Sequence, residues 1–295
     1  MPSDPFSWPL IEPTRRQVLL GLMAGAVGCG SKPVERWSPA IHKLKDRIGG
    51  KNRTCAFIVP DGLAPDALAP MVIGMHDTGD DPETAYEKFG WREVCAERGW
   101  LGLFPSYGKG NQKADNVYLT HLILRGAALG GGDPTRVYIV GHGAGGRRAY
   151  AMACQYPEWI TAIAAASAAV RFREEDLGFQ DPKPPAVSVM HLHGGADARV
   201  PTGGGPLDCG DHKTRQVVPL DEALKPWIEQ IDGKKASMAL KVPTVVDAAR
   251  WTGGGRDVVR LIDPAGDHNW NADYWTRLVA DFFAAAPRRP RAQLH

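Results

Sequence analysis

Seven short, continuously apolar runs alternate with longer amphipathic stretches from residue 54 onward, and few architectures accept such a pattern. The runs are "TCAFIV" (54–59), "MVIGMH" (71–76), "WLGLFP" (100–105), "RVYIV" (136–140), "AIAAAS" (162–167), "AVSVMHLH" (186–193) and "DVVRLI" (257–262). Between or after them lie "DPETAYEKFGWREVCAERG", "DNVYLTHLILRGAAL", "GRRAYAMACQYP", "LDEALKPWIEQI" and "ADYWTRLVADFFAAA". A strand that is apolar on both faces must be covered on both faces, and crossover helices supply that cover in a parallel sheet. The expected fold is therefore α/β, a mostly parallel, doubly wound sheet flanked by helices, in one domain over residues 51–286. A hydrophobic fraction of 43% is enough for a core of that size. "SKPVERWSPAIHKLKDRIGGKN" reads as a tether and lead-in, covering residues 29–50 after an N-terminal segment of 28. The Pro/Gly-rich "GFQDPKPP" and "VPTGGGPLDCGD" read as surface loops, and residues 287–295 as a basic, solvated tail.

The first 28 residues have a separate logic. Arg15-Arg16 precede an apolar run over residues 18–27, too short to span a bilayer as a helix. This resembles a twin-arginine export signal. The small residues before Cys29 resemble a lipoprotein cleavage box, with Cys29 as the lipidated first residue. The expectation is an exported protein of the cell envelope, held at the membrane through Cys29. Four other cysteines, Cys55, Cys95, Cys154 and Cys209, would then sit in an oxidising compartment where one or two disulfides are allowed. Cys95 and Cys154 fall on apolar helix faces and read as core thiols. No Cys or His ligand spacing suggests a metal, and no cofactor motif appears. A net charge of +2 with interspersed signs gives no reason to expect a nucleic-acid partner.

In a doubly wound sheet, ligands bind beyond the carboxyl ends of the strands. Four polar segments fall there: "MHDTGD", "GHGAGG", "HLHGGADARVP" and "DPAGDHNW". The second is a strand running through a glycine-rich turn into a helix, the frame of a G-x-S-x-G nucleophile elbow, but with Gly143 at the serine position. The order elbow, acid, histidine is that of a hydrolase triad.

On these residues the chain resembles the α/β-hydrolases, near the polyhydroxybutyrate-depolymerase and feruloyl-esterase type and the phospholipase/carboxylesterase proteins. "DPTRVYIVGHGAGG" is similar to their strand and elbow, "HLHGGADARVP" to their H-G-x-x-D-x-x-V-P acid loop, and "GDHNW" to their G-H-x-W histidine loop. The resemblance implies the α/β-hydrolase fold, with Asp197 as the triad acid, His268 as the base and Trp270 near the site. It also implies an oxyanion hole from the backbone N–H of Ala144 and one from the Asp77/Thr78 region. Here the pattern breaks, because H-G-x-G has become His76-Asp77-Thr78-Gly79. A carboxylate at Asp77 would repel an oxyanion unless it pointed away or were paired. Asp80 or Asp81 reads equally as a helix cap.

Glycine accepts the backbone of an elbow but carries no oxygen. His142, beside it, is expected to point elsewhere; Ser106 and Ser167 follow other strands, and neither has an elbow. The leading reading is an esterase-like protein that binds an ester, acyl or glycan ligand with little or no turnover. A second is a hydrolase in which His268, held by Asp197, activates water. A third is a non-catalytic surface protein that binds a partner.

Overall fold

The computed structural model describes residues 38–289, apart from 49, 65–66, 108–111, 174–183, 209–213 and 244. The N-terminal segment read as an export signal, Cys29, Cys209, most of the 171–185 loop and the end of the basic tail lie outside the described residues.

Among the described residues, twelve strands and five α-helices follow one another. The strands are β1 (Ala40–Ile48), β2 (Lys51–Val59), β3 (Ala69–Met75), β4 (Leu101–Pro105), β5 (Gly132–His142), β6 (Ala162–Ala166), β7 (Ser188–Gly194), β8 (Gly205–Asp208), β9 (Thr214–Val217), β10 (Lys234–Ala236), β11 (Asp247–Gly253) and β12 (Arg256–Asp263). The helices are α1 (Trp91–Arg98), α2 (Gln112–Gly130), α3 (Ala144–Gln155), α4 (Leu220–Gln230) and α5 (Trp275–Ala285). Ten strands form one sheet in the order β1-β2-β4-β3-β5-β6-β7-β12-β11-β10. Its centre, β4 to β12, is parallel, and antiparallel strands close both edges. All seven apolar runs are strands of this sheet.

Their two-sided burial follows from period-2 alternation. Met71, Ile73 and Met75 of β3, with Val137 and Ile139 of β5, join Tyr118, Leu122, Tyr150 and Trp227 from α2, α3 and α4. Val72, Tyr138 and Val140 face the other way, onto Trp91 and Cys95 of α1 and Trp275, Val279 and Phe283 of α5. Two cores thus sandwich the sheet.

Three segments differ from the sequence reading. The supposed lead-in contains β1, an edge strand whose Leu44 is buried in the core while its neighbours are polar. One buried side chain in nine residues leaves almost no periodic signal. "VPTGGGPLDCGD" is not only loop, since β8 pairs with β9 in a separate hairpin. The 81–99 stretch is not one helix: a π-turn (Thr84–Lys88) stops short of Gly90, whose φ of 73° restarts the chain as α1. Among the described residues no disulfide forms at Cys55, Cys95 or Cys154, and no helix is long and apolar enough to cross a membrane.

Because the central strands are parallel, β3, β5, β7 and β12 all deliver their carboxyl ends to one edge. There the chain gathers its polar side chains.

Candidate active site

At the end of β5 the backbone turns through Gly143 at φ 52°, ψ −117°, and α3 begins with Ala144. An L-residue tolerates that combination only under strain, whereas glycine adopts it freely. Gly145 lets the turn pack close, since a side chain there would run into the backbone of Met75 and His76. The strand–turn–helix expected from the sequence is present, with glycine at its apex.

The space above that apex is not empty. A side-chain carbon on Gly143 would lie within 2.6 Å of the carboxyl carbon and both oxygens of Asp77. Asp77, buried just past β3, has its carboxylate where an elbow side chain would stand. Oδ1 accepts the Ala144 N–H at 2.7 Å, and the Thr78 N–H also bonds the carboxylate. Oδ2 accepts Arg199 Nη1 at 2.8 Å and faces His268 Nε2 at 3.3 Å. The N–H groups anticipated as oxyanion-hole donors therefore hold the protein's own carboxylate. Asp77 is paired rather than repelling, and it fills the site rather than bordering it.

Asp197 and His268 meet as their positions in the sequence suggest. His268 Nδ1 lies 2.8 Å from Asp197 Oδ2, while Asp197 Oδ1 accepts the N–H groups of Arg199 and Val200 at 2.9 and 2.8 Å. His268 is thus flanked by two carboxylates, Asp197 and Asp77. Burial opposes the charge on its ring, but the hydrogen bonds it donates to Asp197 and Asp77 prevail and raise its pKa to about 9. Burial likewise opposes ionisation of Asp77, yet the His268 ring, the Ala144 and Thr78 N–H groups and Arg199 hold its carboxyl well below the usual carboxylate range. For Asp197, burial is outweighed by His193, His268 and the Val200 N–H, with the same outcome. At neutral pH the centre is an imidazolium between two carboxylates, with the Arg199 guanidinium at its edge.

This arrangement makes stability depend on pH. A raised histidine pKa contributes stability in full below the ordinary value of 6.5, and the contribution is lost as pH rises through about 9. The groups facing His268 are Asp197, Asp77, Arg199 and His142. The melting temperature of the wild type is expected to fall between neutral pH and about 10. Asp77→Asn, which removes one carboxylate, is expected to flatten that fall; parallel slopes in the two proteins would contradict it.

His142 does not point away from the site. It is buried, its ring centroid lies 5.0 Å from that of His268, and its Nε2 is 2.7 Å from the His268 carbonyl. A carbonyl only accepts, so Nε2 carries the proton and Nδ1 keeps a lone pair. That Nδ1 is buried and has no hydrogen-bond partner. Burial, then the nearby His268, keeps the ring neutral by lowering its pKa.

Behind Asp197 runs a buried chain that the sequence reading missed. Period 2 on β7 places His191 and His193 on one face, toward Tyr150 of α3. The Tyr150 hydroxyl lies 2.9 Å from His191 Nδ1, and His191 Nε2 lies 2.8 Å from His193 Nδ1. His193 Nε2 reaches the Val200 carbonyl at 2.7 Å and Asp197 Oδ2 at 3.2 Å. Since Nε2 must donate to that carbonyl, every bond takes one direction: Tyr150 to His191 to His193 to Asp197. The only sequence signal was His-x-His four residues before the acid. Trp270 belongs to the core, stacked on Phe89 at 5.0 Å and donating to Thr276 Oγ1 at 2.9 Å. Asp81 caps the π-turn by accepting the Thr84 N–H at 2.9 Å, the plain role weighed for it.

The strand order, the elbow and the Asp–His pair at the strand ends define the α/β-hydrolase fold. Among solved structures, the chain is similar to acetyl xylan esterase from Aspergillus awamori, with a TM-score of 0.58 at 13% identity over 84% of this chain and 100% of that one. It is also similar to the poly(3-hydroxybutyrate) depolymerase LpqC from Bordetella parapertussis, with a TM-score of 0.55 at 15% identity over 86% of this chain and 93% of that one. Est1E from Butyrivibrio proteoclasticus gives a TM-score of 0.54 at 15% identity over 82% and 97%. No protein-family model and no curated protein matches the chain.

Proposed function

We propose that this chain is an exported, esterase-like protein that has lost acyl transfer and binds an ester, acyl or glycan ligand with little or no turnover. One observation carries the reading: the Asp77 carboxylate stands in the place of a nucleophile side chain and occupies the donors an oxyanion would need. The charge of His268 supports it further. A histidine with a pKa of about 9 is protonated at neutral pH and is a poor general base, which weighs against the water-activating alternative. The ligand class is taken from the similar structures, named for acetylated xylan and poly(3-hydroxybutyrate). Export and anchoring through Cys29 rest on Arg15-Arg16, the short apolar run and the small residues that follow it.

The test is hydrolysis of p-nitrophenyl acetate and butyrate by the wild type beside His268→Ala. Both are expected at the buffer rate, and a fluorophosphonate probe is expected to label neither. Wild-type turnover that disappears in His268→Ala would establish the water-activating hydrolase instead. Melting shifts with acetylated xylo-oligosaccharides and 3-hydroxybutyrate oligomers then test retention of a ligand.

A further inference from the structure

We propose that Asp77, His142 and His268 form a binding site for one divalent transition ion of the zinc class. The assignment rests on the reading that these groups no longer serve acyl transfer. One ring nitrogen of each histidine and one Asp77 oxygen lie within 4.8 Å of one another. His268 Nε2 and Asp77 Oδ2 are 3.3 Å apart. Tetrahedral zinc with bonds of 2.0–2.1 Å has ligand–ligand edges of roughly 3.3 Å, so this edge already has the required length.

The outer partners match as well. A metal-binding histidine usually donates its remote N–H to a carboxylate or a carbonyl, which fixes the tautomer and aims the lone pair. His268 has Asp197 at Nδ1, and His142 has the His268 carbonyl at Nε2. The buried, unpartnered Nδ1 of His142 is the lone pair that such a site leaves open. Ala144 N–H steadies the carboxylate from its other oxygen. The ligands come from just beyond β3, the end of β5 and the loop after β12, so rigid strand ends set their spacing.

Two nitrogens and one carboxylate favour a zinc-class ion over calcium or magnesium, which take oxygen ligands. The ion replaces the proton between His268 and Asp77. Arg199, which also touches Oδ2, is half-exposed and has solvent to withdraw into. Three protein ligands leave a fourth position for water or an oxygen donor of a bound molecule.

The experiment is calorimetric titration of the chelator-stripped full chain with zinc chloride, with cobalt(II) chloride as a spectroscopic stand-in. One ion per chain is expected, with an intense visible cobalt spectrum and no thiolate charge-transfer band. Asp77→Asn, His142→Phe and His268→Gln are each expected to lose binding, and Asp197→Asn to weaken it about 10–100-fold. His142→Phe keeps a ring beside Phe89 and reads the site even if a carboxylate variant fails to fold. His121→Ala, at the Asp46 pair away from the site, is expected to bind as the wild type does. Absence of saturable binding, binding undiminished in the three ligand variants, or a thiolate band overturns the site. Ester turnover in the presence of chelator would overturn the preceding reading instead, because ion binding is read without substrate.

Discussion

Gly143→Ser alone is expected to remain inert toward p-nitrophenyl acetate, whereas Asp77→Gly/Gly143→Ser gains at least about 10³-fold over background. The reason is steric and electrostatic together. The new serine carbon would sit within 2.6 Å of the Asp77 carboxyl group, so the carboxylate has to leave. Leaving forfeits its bonds to Ala144, Thr78, His268 and Arg199, at a cost on the order of 2–4 kcal/mol, and the serine also inherits a positive φ. If Asp77 stays, the hydroxyl has no room and the Ala144 N–H remains occupied. Glycine at position 77 changes each of these terms at once. The loop becomes His-Gly-Thr-Gly, the Ala144 and Thr78 N–H groups are released to meet an oxyanion, and His268 loses the carboxylate that keeps it protonated. Its pKa then falls toward the range of a working base while Asp197 still orients it. Adding His268→Ala to the double variant is expected to abolish the gain. Activity in Gly143→Ser alone would show that Asp77 moves aside easily and that the filled site is shallow.

The positions of this reversal were legible in the sequence, but their joint meaning was not. Gly143, Asp77, Asp197 and His268 each stood out because they lie at the ends of apolar strands in hydrolase order. That Asp77 and Gly143 complement one another is a matter of volume between residues 66 positions apart, just beyond the ends of neighbouring strands, for which local periodicity carries no trace. The same limit hid Arg199 and His142, polar residues whose roles depend on where their tips end. The seven apolar strands were readable because two-sided burial makes a run uniformly apolar. β1 and the β8–β9 hairpin were missed because edge strands and ribbons bury few side chains. The His191–His193 chain is intermediate. Its alternation was present in the string, but only the placement of α3 supplies Tyr150 and makes a directed path toward the acid.

Asp197→Ala is expected to destabilise the protein by about 3–5 kcal/mol, the range for removing one partner of a buried ion pair. Asp197 is 3% exposed and accepts four hydrogen bonds, from the Arg199 and Val200 backbone and from His268 and His193. Alanine strands the Arg199 and Val200 N–H groups and the Nδ1–H of His268, leaves His193 Nε2–H to the Val200 carbonyl alone, and an imidazolium at His268 would retain only Asp77. Asp197→Asn should be milder, on the order of 1–2 kcal/mol, for a specific reason. Its amide oxygen can still take the two backbone N–H groups, which turns the NH2 toward both histidines. His268 can answer by shifting its proton to Nε2, donating to Asp77 and accepting at Nδ1. His193 cannot, because its Nε2–H is fixed by the Val200 carbonyl and now confronts another donor. The asparagine variant should therefore also lower the His268 pKa below about 9, visible as a shifted ring-proton titration by NMR. Denaturant unfolding at neutral pH measures both stabilities. Asp197→Ala within 1 kcal/mol of wild type would mean that the histidine chain closes on itself without the carboxylate, and that the acid serves His268 alone.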